Sequence, residues 1–111
     1  MNITEDYCSY EVYKLLKEKG FDYQGFDYID FEGEVIRQDR PTHQMAMKWL
    51  REEHNIFIQI SAVLQDQPFG LYYRPSIQDY HAYARHDNFS EYVTYEEAVE
   101  AALKYCLENL I

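Results

Sequence analysis

Asp79, His81, His86 and Asp87 are the chain's nearest approach to a metal cluster. Imidazole nitrogens and carboxylate oxygens together are what a zinc-type centre requires. Along a strand, however, positions 81 and 86 differ by an odd number and point to opposite faces. The spacing also misses the HExxH pattern that puts two histidines on one helical face. The group therefore reads as solvated polar residues near a turn. His43 and His54 fall at opposite ends of a predicted helix, where His54 meets the negative end of the helix dipole. No metal site is expected.

Asp27, Asp30, Glu32 and Glu34 crowd one aromatic segment, as two carboxylates flanking a glycosidic bond would. A chain with 20 acids produces such crowding by chance, and spacing alone gives no catalytic separation. Cys8 and Cys106 sit on apolar stripes, neither is expected to have a neighbouring histidine, and a buried thiol is normally inert. Ser9, Ser61, Ser76 and Ser90 lack a GxSxG elbow. With four glycines there is no GxGxxG and no phosphate loop. Neither a catalytic residue nor a cofactor is expected.

Twelve tyrosines are the unusual feature, more than a small core can bury with every hydroxyl partnered. Tyr23, Phe26, Tyr28, Tyr72, Tyr73, Tyr80 and Tyr83 are the candidates for an exposed aromatic sheet face that meets a protein partner. The alternative is that the same rings floor the sheet beneath the helices. Stacking on nucleic-acid bases would use them too, but it normally comes with a basic groove.

The elements that must position these residues follow from periodicity and punctuation. Val12, Leu15, Leu16 and Lys19 form a helical stripe over Ser9–Lys19, closed by Gly20 and Phe21 as a left-handed cap. An earlier start after Thr4 is equally open, since Glu5 and Asp6 suit the positive end of the dipole. Phe26, Tyr28 and Asp30 alternate with Asp27, Ile29 and Phe31 as a strand, and Glu32-Gly33 turns it into a second over Glu34–Gln38. Thr42 N-caps a helix to about His54, stopped by Asn55. Ile56, Ile58 and Ile60 mark the clearest strand, running to about Leu64. Gln65–Gly70 reads as a loop, and Leu71–Arg74 as an antiparallel partner that Pro75 restricts to an edge or an end. Tyr80–Phe89 reads as a short strand carrying Tyr83 and Arg85 on one face, or as a loop. Thr94 and Glu97 make a capping box for a last helix, Tyr95–Asn109, whose stripe is Val99, Ala102, Leu103, Cys106 and Leu110.

Residues 1–111 thus make one α+β domain, an antiparallel sheet of three to five strands covered by about three helices in the order α-β-(β)-α-β-β-(β)-α. From Thr42 onward the α-β-β-β-α order is that of a double-stranded-RNA-binding domain, but the charge opposes that activity. Twenty acidic against ten basic side chains leave a formal net charge of −10, and the lysines are interleaved with glutamates rather than segregated. Direct binding to nucleic acid is not expected. No apolar run approaches the length of a membrane span, and the acidic start lacks the pattern of a signal peptide. With two widely separated cysteines, a cytoplasmic chain with reduced thiols is expected.

The segments YEVYKLLKEKGFD (Tyr10–Asp22), THQMAMKWLREEHNIFIQI (Thr42–Ile60) and TYEEAVEAALKYCLENLI (Thr94–Ile111) resemble a family of short proteins encoded in Bacteroidales genomes and their phages or other mobile elements. The resemblance covers most of the chain but brings no catalytic motif and no assigned activity. It implies a small, cytoplasmic, accessory protein of phage or mobile-element origin.

The leading functional expectation is a non-enzymatic binding or regulatory module whose partner is another protein or its own copy. Two alternatives are an acidic mimic of nucleic acid that blocks a host DNA-binding protein, and a small enzyme of unrecognised type. The mimic needs carboxylates in rows at phosphate-like spacing, and the enzyme needs a pocket with convergent polar groups.

Overall fold

A computed structural model describes residues 6–23, 27–29, 31–33, 35–38, 40–66 and 69–111, without the side chains of 27–29 and 35–38. Its order is α1 (Tyr10–Glu18), β1 (Asp27–Ile29), β2 (Val35–Gln38), α2 (His43–His54), β3 (Ile56–Asp66), β4 (Phe69–Asp79), β5 (Ala84–His86) and α3 (Tyr95–Tyr105). This is the α+β arrangement expected, with the strands divided between two antiparallel sheets, β1-β2 and β3-β4-β5. No helix among the described residues is long and apolar enough to cross a membrane.

Short-range chemistry sets the helix ends. Ser9, Thr42 and Thr94 each accept the N–H three residues on, from Val12, Met45 and Glu97, satisfying a donor the first turn leaves open. Gly20, at φ +95°, lets its own N–H reach Lys17 O while Phe21 N–H reaches Leu16 O, a Schellman closure of α1. Asn55 ends α2 in the left-handed region. The earlier start considered for α1 does not occur. Instead Tyr7 bridges to Thr42, with Cys8 N–H donating to Pro41 O and His43 N–H to Asp6 O. Beyond Tyr105 the α-helical ladder expected to reach Asn109 widens into a π-helical turn, Cys106–Leu110.

Leu16, Leu50, Ile56, Ile77, Leu103 and Leu107 are fully buried between the three helices and one face of the larger sheet. Full burial of each such side chain contributes roughly 1.5–3 kcal/mol.

The β3–β4 hairpin differs from expectation in two ways. Alternation continues through Asp66 and resumes at Phe69, so the loop expected at Gln65–Gly70 is mostly strand. The register runs without a bulge from Ile56↔Asp79 to Asp66↔Phe69. Pro75, expected at an edge or an end, lies buried in the middle of the central strand, opposite Ile60. The reason is local. Tyr73 exchanges both backbone hydrogen bonds with Tyr92, so Tyr73, Pro75 and Ile77 direct their backbone groups away from β3. Pro75 falls between the Tyr73–Tyr92 bridge and the Ile77–His86 pair, where no N–H is required.

Candidate functional site

The same parity fixes β3. Residues opposite Tyr73, Pro75 and Ile77 are Ala62, Ile60 and Ile58, which therefore aim their N–H and C=O groups at the outer edge of the sheet. Among the described residues β3 has β4 as its one strand neighbour, and no hydrogen bond joins that outer edge to another of them. Natural edges are normally blunted by lysine, proline, a bulge or a covering element. The eleven residues IFIQISAVLQD contain no lysine and no proline, and carry one charge, Asp66, at the end.

Burial along this hairpin falls in one direction. On the helix-facing side Ile56, Ile77 and Asp79 are buried and Ile58 and Ile60 partly so, whereas Leu64 is 66% exposed, Phe69 78% and Leu71 51%. Leu64 and Leu71 are cross-strand partners, so these three side chains make one apolar face where the hairpin outruns the helices. The molecule measures 52 × 36 × 23 Å. Its radius of gyration is 16.0 Å, against about 13 Å for a compact chain of this length.

The aromatic residues expected to form one face are distributed differently. Tyr72 and Tyr73 are consecutive on β4 and point to opposite sides; Tyr73 packs edge-on against Tyr95 of α3. Tyr80 lies in the turn after β4 with its ring 5.2 Å from that of Phe57, on the face away from the helices. Tyr83, expected on a strand, is in the turn at φ 52° and fully exposed. Tyr23 packs against Tyr13 and Phe21. Phe26 and the side chain of Tyr28 lie outside the described residues.

A second feature is a cleft of about 650 Å³ beside the N-terminal ends of the helices, lined by Asp6, Tyr7, Arg40, His43, Glu96 and Glu100 among others. Arg40 is committed elsewhere, donating to Cys8 O at 3.0 Å and stacking on the Tyr10 ring. Asp6 is held above the ordinary carboxylate range by desolvation and by a hydrogen bond with Glu96. At the floor, Glu100 Oε1 lies 2.8 Å from His43 Nε2 and accepts Ser9 N–H at 2.7 Å, while Oε2 accepts the Ser9 hydroxyl at 2.9 Å. Burial alone would push the Glu100 carboxyl up, but these donors outweigh it and hold it below its usual range.

Cys8, His43 and Glu100 bring their donor atoms within 4.8 Å of one another, which corrects the expectation that no histidine neighbours Cys8. The chemistry is that of a closed hydrogen-bond network. Burial first, and the Glu100 charge second, push the Cys8 thiol up to about 12, and its Sγ donates to Thr42 O at 3.6 Å. A thiol held protonated is a poor nucleophile and a poor metal ligand.

The sequence-level group Asp79, His81, His86 and Asp87 does not converge on one point. Asp79, buried rather than solvated, accepts the N–H groups of His81 and Ala82 at 3.1 and 3.2 Å. His86 meets Tyr105, and Asp87 meets Ser76 and Arg85. His54, in the last turn of α2, packs against Trp49.

Comparison with protein-family models, with curated proteins and with solved structures finds no match to this chain.

Proposed function

We propose that this protein is a non-enzymatic protein-binding module that receives an extended segment of a partner along the outer edge of β3. The observation that carries this reading is the unguarded eleven-residue edge, whose outward backbone groups at Ile58, Ile60 and Ala62 have no partner among the described residues. An added strand satisfies such groups by main-chain hydrogen bonding, while alternate side chains supply specificity. The exposed Leu64, Phe69 and Leu71 lie at the far end of the same hairpin and offer apolar contact. The chain's formal charge of −10, of which β3 carries only Asp66, disfavours indiscriminate aggregation through this edge. Two unpaired, buried thiols support a reducing compartment such as the cytoplasm.

Selection from a displayed library of random peptides tests the reading. Binders are expected, and Ala62→Pro is expected to abolish their binding, because it removes an outward N–H that the β3–β4 ladder does not use. A library yielding no binder, or binders indifferent to Ala62→Pro in a folded variant, would overturn it.

A further inference from the structure

Resting on that strand-receiving reading, we infer that the partner is a second copy of this chain, joined β3 to β3 antiparallel about a two-fold axis at Ser61. Residues that aim their backbone outward are the even-numbered ones, and an antiparallel pair forms its hydrogen bonds between residues that aim at each other. The register that pairs all eleven residues is centred on Ser61. It sets Ile60 opposite Ala62 of the second copy and Ile58 opposite its Leu64, so every hydrogen-bonded pair joins two outward-directed residues. A two-fold contact of this kind is isologous and closes at two copies, producing one continuous six-stranded sheet.

Two observations select a like copy over an unrelated segment. The first is burial: Leu64 is exposed where the hairpin outruns its own helices, while Ile58 lies under them. The two-fold register carries each exposed Leu64 to the helix-covered end of the other copy, beside Ile58. The second is charge. Two chains of formal charge −10 repel over most of their surface, but β3 is neutral until Asp66. The register holds the two Asp66 residues about 34 Å apart at strand rise, well beyond a Debye length of about 10 Å. Each instead reaches the Ile56 end of the other copy, after an α2 turn whose Arg51 and His54 are interleaved with Glu52 and Glu53.

Sedimentation equilibrium of the full chain from 1 to about 500 μM tests the association, because dissociation constants in that span are what a modest interface gives. The mass is expected to rise from 13.4 kDa to twice that value. Ala62→Pro and Leu64→Lys, both at exposed positions, are expected to hold the protein at 13.4 kDa with an unchanged far-UV spectrum. The register has its own readout. Ser61 faces Ser61 of the second copy in a pair that is not hydrogen-bonded, with Cα atoms about 4.5 Å apart. Ser61→Cys is therefore expected to form a disulfide-linked dimer on mild oxidation, and Gln59→Cys to remain largely uncrosslinked. A monomer at the highest concentration would overturn the second-copy inference; edge-dependent peptide capture by that monomer would leave the strand-receiving reading intact. A dimer insensitive to both edge variants, or crosslinked as readily through position 59 as through 61, would overturn the inference as well.

Discussion

Glu100, on α3, holds His43, at the start of α2, through a 2.8 Å contact between Oε1 and Nε2, and the same carboxylate holds Ser9 through both its amide and its hydroxyl. One half-buried side chain therefore ties together the N-terminal ends of α1 and α2 from the flank of α3. Removing it leaves the Ser9 amide and the buried His43 without their acceptor. Glu100→Ala is expected to cost about 2–4 kcal/mol, since charge-assisted hydrogen bonds and partly buried pairs lose their worth asymmetrically. For a domain of this size that lowers Tm by about 10–20 °C in a thermal melt. Glu100→Gln keeps an acceptor and is expected to cost less than half as much.

The same carboxylate makes stability depend on pH in a predictable direction. Its folded-state pKa lies below the ordinary value of 4.5, so the unfolded chain binds the proton more readily. Stability from this group is thus fully present above the unfolded pKa and is lost as pH falls through the folded one. Urea denaturation at pH 6 and at successive steps below 4.5 is expected to show a decline for the wild type that is shallower in Glu100→Gln. Equal slopes for the two proteins would mean that the Ser9 and His43 contacts do not hold the carboxylate ionised.

Features governed by one residue and its sequence neighbours were legible without coordinates. The caps at Thr42 and Thr94, the left-handed closure at Gly20, the stop at Asn55 and the alternation beginning at Ile56 all depend on contacts within about one turn. The Glu100 network joins residues 57 and 91 positions apart, and no local pattern encodes such a pairing. Pro75 was misleading for a related reason: whether a strand residue needs its N–H depends on which neighbouring strand reaches it. The exposed face at Leu64 and Leu71 was equally hidden, because alternation distinguishes two faces of a strand but not how far the covering helices extend. Tyr72 and Tyr73 could have been separated, since consecutive strand residues cannot share a face.

Both thiols are fully buried, and desolvation pushes each up to about 12, aided by the charge of Glu100 at Cys8 and of Asp79 at Cys106. The thiolate is the reactive form, so neither cysteine is expected to react with Ellman's reagent at pH 8 in the folded protein. Full modification is expected only in denaturant. Comparison of the two labelling rates under native conditions reports local opening: rapid loss of Cys8 alone would show that the 6–8 segment detaches from Pro41 and His43 without global unfolding.

Tyr83 combines a left-handed backbone at φ 52° with 96% exposure of its side chain. A non-glycine residue in that region pays about 1–2 kcal/mol in steric repulsion between Cβ and the following carbonyl. The turn persists because Asp79 accepts the amides of His81 and Ala82 and fixes the preceding residues. With so little of its ring buried, Tyr83 offers little packing to offset the strain. Asparagine tolerates this conformation better, so Tyr83→Asn is expected to stabilise the fold by about 0.5–1 kcal/mol, raising the urea midpoint without changing the slope. A loss of stability would instead show that the tyrosine ring makes a favourable contact in solution, and an unchanged midpoint would mean that the turn relaxes its strain without help.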